Sequence, residues 1–174
     1  MPRTASRPSE SIHERFRDHL ERHRKIVFKV ANLYGRGEED RRDLAQEISA
    51  QLWRAFPRYD PERPFSTWMY RIALNVAISF ARSAVQRARY AVPLDEETPD
   101  PIDPARAPDD RVQALHGFMS RLDELNRALL LLYLDEHSYR EIAEVLGISE
   151  TNVATKLSRL KQRIRAELGQ PDRH

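Results

Sequence analysis

The chain has 174 residues, of which 40% are hydrophobic and 32% charged, and its net charge is +2. This composition suffices for one or two packed domains, but no apolar run approaches the roughly 20 residues that a membrane-spanning helix needs. The absence of cysteine excludes disulfides and thiol chemistry and fits a cytoplasmic protein. Only five glycines occur, which disfavours glycine-rich phosphate loops and turn-dense β folds. We therefore expect an all-α protein.

The charge is distributed unevenly along the chain. Residues 1–92 contain 18 Lys/Arg and 11 Asp/Glu, whereas residues 93–110 contain seven acidic residues and one arginine. A further group of bases follows near the C-terminus: Lys156, Arg159, Lys161, Arg163 and Arg165. Basic surfaces of this kind attract nucleic-acid phosphates, although a solvated helix face accounts for the charge alone equally well.

Residues 93–110 have the composition of a linker. They include five prolines and only two large apolar residues, Leu94 and Ile102, so the segment cannot bury enough surface to offset its ordering entropy. We predict an acidic, proline-rich linker between two small helical domains, residues 12–92 and 111–169. Residues 1–11 and 170–174 are expected to be flexible, and the N-terminus lacks the apolar segment of a signal peptide.

Apolar residues at helical spacing predict three helices in the first domain. The first covers residues 12–34 and the second runs from about Asp40 to a stop before Pro57. A loop with two further prolines, residues 58–64, separates the second helix from a long third one over about 66–89. The expected buried stripe of this third helix is Trp68, Ile72, Val76 and Phe80.

The second domain has the pattern of a helix-turn-helix. After helices over about 111–120 and 123–134, Ser138 and Glu141 form a capping box, Gly147 supplies a turn and Ser149 caps the next helix. Ala143 is expected at a close helix crossing and Val153 on the inward side of the last helix. The outward side, here called the recognition face, offers groups that suit a DNA major groove: Thr151, Asn152, Thr155, Lys156, Ser158, Arg159 and Gln162.

Three segments together resemble the bacterial sigma-70-like RNA polymerase sigma factors, and the chain is similar to their extracytoplasmic-function (ECF) group. Asp43-Leu44-Ala45-Gln46-Glu47 with Leu52-Trp53-Arg54-Ala55-Phe56 resembles the polymerase-binding helix. Residues 59–75, Tyr59 to Asn75, resemble the promoter-melting loop and helix, and residues 138–149, Ser138 to Ser149, resemble the second DNA-binding domain. The resemblance covers residues 12–92 and 112–168, with both domains in the expected order.

The resemblance implies a sigma factor, not an enzyme, that binds core RNA polymerase and promoter DNA without a cofactor or metal. The last helices would recognise the upstream (−35) element, and the first domain would melt the downstream (−10) element. The implied polymerase-binding residues, here called the docking face, are Asp43, Gln46, Glu47 and Arg54. The implied melting residues, here called the melting set, are Arg63, Phe65, Tyr70, Arg71, Asn75, Ser79 and Arg82. An anti-sigma factor or another protein regulator is an expected further partner.

Individual residues carry alternative interpretations. Trp68 begins the expected buried stripe, which favours packing, whereas Tyr70 lies off that stripe and is the better base-stacking candidate. His19 and His23 have the spacing of a metal pair, but the sequence offers no cysteine and no obvious third ligand, so surface histidines are expected.

Two departures from the family pattern limit the carry-over. Ala154 and Thr155 replace commonly basic residues of the recognition helix, and residues 122–127 lack the Leu-Pro start common in relatives.

Two other functions remain open. A conventional helix-turn-helix regulator acting without core polymerase would need only the second domain. Alternatively, the first domain could bind a regulator rather than DNA.

The acidic linker could pass near the polymerase active-site channel.

Overall fold

A computed structural model describes residues 11–90 and 109–169, and across these residues the chain folds into α-helices and one short 3-10 turn. The first lobe contains α1 (Ile12–Tyr34), α2 (Glu38–Ala55), the 3-10 turn Phe56–Arg58 and α3 (Phe65–Tyr90). The second lobe contains α4 (Asp110–Ser120), α5 (Glu124–Leu134), α6 (Tyr139–Leu146) and α7 (Glu150–Leu168). Residues 1–10 and 170–174 of the predicted flexible ends and residues 93–108 of the predicted linker lie outside the described residues.

Side-chain caps determine where most of these helices begin. Ser11 with Glu14 and Ser138 with Glu141 form reciprocal capping boxes at the starts of α1 and α6. Asp109, Asp123 and Ser149 cap α4, α5 and α7 by accepting from backbone amides of the first turn. Each cap satisfies an amide that the helix itself leaves unpaired. The chain therefore encodes its helix starts locally.

The first lobe is a three-helix unit in which α1, α2 and α3 all contact one another. Leu44, Ile48 and Leu52 of α2 are fully buried in its core, as their four-residue spacing predicts. The predicted stripe of α3 is wrong. Its buried residues are Phe65, Met69, Tyr70, Ala73, Leu74 and Ala77, whereas Trp68, Ile72, Val76 and Phe80 are only partly buried.

The displaced stripe has a packing cause. The α3 helix contacts α1 and α2 in its own lobe and α5 and α6 in the other, so a broad sector is covered. Ala73 and Ala77 are fully buried within this sector, where small side chains permit tight packing. The spacing of the large apolar residues, Trp68 to Phe80, therefore identifies the edge of the covered sector and not its centre.

In the second lobe α4, α5 and α6 surround the buried side of α7. Val153, Leu157 and Leu160 of α7 are buried in an apolar core that includes Leu129, Leu132 and Ile142. Ala143 is also buried, at the contact between α6 and α7. The turn between those helices passes through Gly147, whose φ of 67° lies in the left-handed region.

The two lobes touch directly, which sequence patterns did not indicate. Arg63 of the α2–α3 loop pairs with Glu144 of α6 at 2.6 Å. The Tyr34 hydroxyl at the end of α1 donates to the Glu124 carbonyl at 2.7 Å, and Arg127 donates to the Leu33 carbonyl at 3.4 Å. The contact therefore extends from the start of α3 to the end of α1.

The consecutive helices α5 and α6 both end at a residue in the left-handed backbone conformation, which glycine adopts easily and other residues adopt with strain. At the end of α5, Glu136 has φ 63°, and the amides of Glu136 and His137 donate to the carbonyls of Tyr133 and Leu132. This is a Schellman arrangement, which normally places glycine at that position. At the end of α6, Gly147 fills the equivalent place.

We predict that Glu136→Gly raises the free energy of unfolding of the second lobe and that Gly147→Ala lowers it, each by about 1 kcal/mol. The reason is the crowding of a Cβ atom in the left-handed region, which the first change removes and the second introduces. Urea unfolding followed by circular dichroism measures both. Changes of the same sign in the two variants would contradict this explanation.

Candidate nucleic-acid interface

The recognition face of α7 is open to solvent across the described part of the chain. Of its seven residues, all are exposed except Lys156, which is half-buried, and Ala154 between them is also half-buried. The Thr155 hydroxyl donates to the Thr151 carbonyl at 3.0 Å, whereas Asn152 and Arg159 point outward. The face thus combines amide, hydroxyl and guanidinium groups on one side of a helix whose other side is buried.

The cluster of bases on α7 divides into two groups in the structure. The ammonium of Lys161 lies 4.3 Å from the centroid of the Tyr133 ring and 3.3 Å from the Tyr139 hydroxyl, and these two tyrosines raise the pKa of Lys161. The guanidinium of Arg163 lies 5.3 Å from the centroid of the Phe118 ring. These two cations pack on their own lobe, and Arg165 is exposed near the end of the helix. The cationic groups of the recognition face are Lys156 and Arg159.

A rigid start to α6 sets the position of α7. The backbone amide of Ser138 donates to the Glu141 carboxylate at 2.7 Å, and the amide of Glu141 donates to the Ser138 hydroxyl at 3.2 Å. The hydrogen bond from the Ser138 backbone is the main reason that the pKa of Glu141 lies below its ordinary value. Glu141 is therefore ionised at neutral pH, where a negative charge at a helix start is favourable.

The docking face of α2 is exposed along its length. Asp43, Gln46, Glu47 and Arg54 are all solvent-accessible, opposite the buried Leu44, Ile48 and Leu52. Within this face, Glu47 accepts a hydrogen bond from the Gln51 amide at 2.8 Å. A surface of two carboxylates, an amide and a guanidinium is suited to charge-assisted hydrogen bonds with a polar partner.

Part of the melting set borders the docking face. Asn75 and Ser79 of α3 are exposed and share a shallow groove of about 730 Å³ with Glu47 and Gln51 of α2. Arg82 is exposed one turn further along α3. The structure therefore places the exposed polar side chains of Asn75 and Ser79 in a largely apolar groove next to the residues that resemble a polymerase-binding helix.

Two other members of the melting set line a cleft between the lobes. Arg63 and Arg71 stand at a cleft of about 430 Å³ whose walls include Trp68 and, from the second lobe, Arg140 and Glu144. Arg71 is exposed, whereas Arg63 is held by its ion pair with Glu144. In this arrangement Trp68 is accessible at the cleft. It is therefore better placed than Tyr70 to stack on a base.

The last two members, Phe65 and Tyr70, are buried. Phe65 is 6% exposed and lies in an aromatic cluster, with its ring centroid 4.5 Å from that of His19 and 5.1 Å from that of Trp68. Tyr70 has no exposed surface and donates its hydroxyl proton to Asp135 of the second lobe at 2.5 Å. Neither ring is available to a nucleobase in this arrangement. The neighbouring side chains of Trp68 and Arg71 are accessible at the cleft.

Sequence reasoning missed the aromatic cluster around the α2–α3 loop. Its rings come from Phe16, His19, His23, Trp53, Phe56, Tyr59, Phe65 and Trp68. Burial is the main reason that the pKa of His19 is lowered, and the His23 imidazole bonds to the His19 carbonyl at 3.0 Å. The density of aromatic residues between 53 and 68 was the available signal. Both histidines are packing residues of this cluster.

Comparison with known proteins gives two family matches. Residues 19–87 match the model of sigma-70 region 2, and residues 113–164 match the model of sigma-70 region 4. Together these ranges cover well over half of the chain, in the same order as the two lobes. The chain belongs to the ECF group of sigma-70-like RNA polymerase sigma factors.

Similar proteins agree with this assignment. The RNA polymerase sigma factor CnrH of Cupriavidus metallidurans is 29% identical over 84% of this chain and 83% of its own length. The ECF sigma factor SigM of Bacillus subtilis is 28% identical over 71% of this chain and 77% of its own length. The probable sigma factor RfaY of Xanthomonas campestris is 29% identical over 72% of this chain, which spans only 33% of that protein.

Solved structures share the fold. The sigma factor RpoE of Bartonella quintana, in complex with the anti-sigma factor NepR, aligns with a TM-score of 0.74 at 18% identity, over 91% of this chain and 99% of that one. CnrH in complex with the cytosolic domain of CnrY aligns with a TM-score of 0.62 at 24% identity, over 88% and 87% of the two chains.

Family membership establishes the activity of this sigma factor. It directs promoter-specific transcription initiation with core RNA polymerase, and sigma factors in general are DNA-binding regulators and not catalytic enzymes. Within residues 11–90 and 109–169, no helix is long and apolar enough to cross a membrane. The same residues hold no group of three or more side chains that could bind a metal ion.

The capping box of α6 generates a prediction with a built-in control. We predict that Ser138→Ala lowers the free energy of unfolding by about 1 kcal/mol, because the first turn of α6 loses its cap. Ser158→Ala, on the exposed recognition face, should leave stability unchanged within about 0.5 kcal/mol. Chemical denaturation of the two variants decides the point, and equal losses would show that the capping box is not what holds α6.

Proposed function

We propose that the α6–α7 pair is a helix-turn-helix that places α7 in the major groove of the upstream (−35) element. The observation that carries this proposal is the division of α7 itself. Its recognition face is exposed, while Lys161 and Arg163 are turned onto tyrosine and phenylalanine rings of the lobe.

The chemistry of the recognition face supports readout of duplex DNA. An asparagine amide can donate to and accept from an adenine edge, and an arginine can bind either a guanine edge or a phosphate. Asn152 stands in the first turn of α7 and Arg159 two turns later. We assign base reading to Asn152 and phosphate or guanine contact to Arg159.

The first lobe would capture the melted downstream (−10) element. Unstacking bases costs a few kcal/mol per step, so a factor that opens DNA must bind the separated strand. Asn75 and Ser79 offer exposed polar groups to a base, and Arg71 and Arg82 offer charge to phosphates. The docking face of α2, which borders the same groove, would hold core polymerase beside the opened strand.

The loop before α3 is rigid enough to support this role. The Tyr59 hydroxyl donates to the Arg63 carbonyl at 2.6 Å, and the Glu62 amide donates to the Asp60 carboxylate at 3.0 Å. The aromatic cluster anchors both ends of the loop through Tyr59 and Phe65. A preformed loop loses little entropy on binding a strand, which favours capture.

Other elements of the proposal concern partners. RpoE was solved with the anti-sigma factor NepR, and CnrH was solved with the cytosolic domain of CnrY. We infer that an anti-sigma factor or another protein regulator also controls this chain, in the cytoplasm where core polymerase acts. The acidic residues of the linker, residues 93–110, would pass near the polymerase active-site channel and mimic nucleic-acid charge. Unchanged initiation after Asp95, Glu96, Glu97, Asp100 and Asp103 are all neutralised would contradict that role.

Upstream recognition is tested by a matched pair of arginine variants. Arg159→Ala should weaken holoenzyme binding to promoter DNA by about tenfold and reduce the slope of log affinity against log salt by about 1, because a phosphate contact is lost. Arg163→Ala removes a cation of the same helix that packs on Phe118, and it should change neither quantity. Binding is measured by fluorescence anisotropy at several salt concentrations. Equal effects would contradict the assigned face.

Downstream opening is tested by a double dissociation within the first lobe. Arg71→Ala combined with Asn75→Ala should reduce permanganate reactivity of the −10 thymines at least tenfold and spare core binding. Asp43→Ala combined with Arg54→Ala should weaken core binding instead. A first lobe that loses core binding in the first variant, with opening intact in the residual complex, would favour a regulator-binding lobe. A chain that never directs run-off transcription would be a conventional regulator.

A further inference from the structure

Lys161 of α7 contacts both helices that precede the recognition helix. Its ammonium lies 4.3 Å from the centroid of the Tyr133 ring, near the end of α5. It also lies 5.9 Å from the centroid of the Tyr139 ring, at the start of α6, and it donates to the Tyr139 hydroxyl at 3.3 Å. Arg163, by contrast, packs on Phe118 of α4. Lys161 is therefore the cation that joins α7 to α5 and α6.

The contact of Lys161 is directional because the side chain is charged. Tyr133 and then Tyr139 raise the pKa of Lys161 above its ordinary value, so the ammonium keeps its proton at neutral pH. An ammonium over a tyrosine ring is attracted by the negative face of the ring, and more strongly where water is partly excluded. Lys161 is half-buried at this point. The cation and the two rings therefore favour one relative placement of their helices.

The apolar contacts of α7 do not by themselves select its direction. Val153, Leu157 and Leu160 are buried and decide which side of the helix faces the core. Burial of apolar surface is non-directional and depends mainly on the area removed from water. A small tilt or rotation of α7 changes that area little. A directional contact is needed to choose among such orientations.

Two such attachments lie at separate points of α7. The turn through Gly147 holds the beginning of the helix. Lys161 lies eleven residues after Glu150, the first residue of α7, which is about 16 Å along the helix axis. Its partner Tyr139 directly follows Ser138, the residue that caps α6. Attachment at two points this far apart sets the direction of the axis relative to α6.

Lys161 lies on the far side of α7 from the residues assigned to DNA. At 3.6 residues per turn it is about 180° around the helix from Asn152 and about 160° from Arg159. The ammonium is also occupied by the two tyrosines of its own lobe. Any effect of Lys161 on base reading must therefore act through the orientation of α7.

Readout by Asn152 and Arg159 is sensitive to that orientation. The two residues are separated by two turns, or about 10 Å along the axis. A tilt of the helix moves one of them toward the DNA and the other away from it. Hydrogen bonds weaken steeply as their geometry departs from the optimum, and functional groups need placement within about 0.5 Å. Simultaneous contact by both residues requires a fixed axis.

We propose that Lys161 is a positioning residue that determines specificity for the upstream element, because it holds α7 at the tilt that brings Asn152 and Arg159 to the DNA together. The inference rests on the proposed role of the recognition face. Attraction to DNA of any sequence depends on phosphate charge, whereas preference for one sequence depends on base contacts. Loss of Lys161 therefore lowers the preference and spares the general attraction.

The test measures binding of the holoenzyme, reconstituted with the full chain, to two DNA fragments. One fragment carries a promoter that the holoenzyme transcribes, and in the other its −35 element is replaced by unrelated sequence. Fluorescence anisotropy at several salt concentrations gives both affinities and their salt slopes. The ratio of the two affinities, here called the specificity ratio, reports base reading.

Four variants are compared. Lys161→Met removes the ammonium and keeps an unbranched stem, whereas Lys161→Arg keeps a cation. Tyr139→Phe keeps the ring and removes the hydroxyl that accepts from Lys161. Arg165→Met is the charge-matched control, because Arg165 is an exposed cation near the end of the same helix.

We expect Lys161→Met to lower the specificity ratio about fivefold, with the same salt slope as Arg165→Met. Lys161→Arg should restore the ratio to within about twofold of the parent, since a guanidinium also binds aromatic faces. Tyr139→Phe should lower the ratio, and combining it with Lys161→Met should add little, because both remove the same contact. Arg165→Met should leave the ratio unchanged.

A specificity ratio in Lys161→Met equal to that in Arg165→Met would overturn the inference. So would a salt slope lower by about 1 than that of Arg165→Met, because it would reveal a phosphate contact of Lys161. Circular dichroism identifies a variant that fails to fold. If Lys161→Met is such a variant, Tyr139→Phe decides, and an unchanged ratio in it overturns the positioning role.

Arg159→Ala keeps the two proposals distinguishable. Unchanged promoter binding in Arg159→Ala contradicts the recognition face itself. Weakened binding in Arg159→Ala, together with an unchanged specificity ratio in Lys161→Met, contradicts the positioning role of Lys161 alone.

Discussion

The carboxylate of Asp135 is the point on which the arrangement of the molecule depends. It accepts from Tyr70 and Lys29 of one lobe while belonging to the other. A partly buried carboxylate loses part of its hydration, which hydrogen-bond partners must replace. Asp135 is partly buried, and Tyr70 and Lys29 reach its two oxygens only when the lobes are together. The ion pair between Arg63 and Glu144 is more exposed and contributes less. The hydrogen bond from Tyr34 to the Glu124 carbonyl is a second partly buried contact between the lobes.

Within each lobe the architecture follows from local rules, and the sequence predicted these parts well. The capping boxes at Ser11 and Ser138, the glycine turn at Gly147 and the α2 core of Leu44, Ile48 and Leu52 depend on neighbours a few residues away. Periodicity also separated the buried and exposed sides of α7 correctly. Interactions at short sequence range leave a readable pattern.

The long-range features could not be predicted in the same way. The buried side of α3 is displaced from the Trp68 stripe because this helix is covered from several directions, and only the folded packing shows which small residues lie deepest. Tyr70 is buried although it lies off the expected stripe, because its hydrogen-bond partner, Asp135, belongs to the other lobe, 65 residues further along the chain. No sequence motif around Tyr70 or Asp135 predicts this hydrogen bond. The candidate roles of the exposed faces of α2 and α7 come from motif resemblance. The burial of Phe65 and Tyr70 could not be predicted from the sequence, because it depends on contacts between distant segments.

The cleft between the lobes also bears on competition among sigma factors for a limited pool of core polymerase. If core polymerase binds only molecules whose lobes are apart, the apparent dissociation constant of the holoenzyme is the intrinsic one divided by the fraction of such molecules. With about one molecule in a hundred in that form, polymerase binding would weaken about a hundredfold with no change in any polymerase contact. The strength of one intramolecular hydrogen-bonded pair would then set the cellular concentration at which this factor begins to claim polymerase.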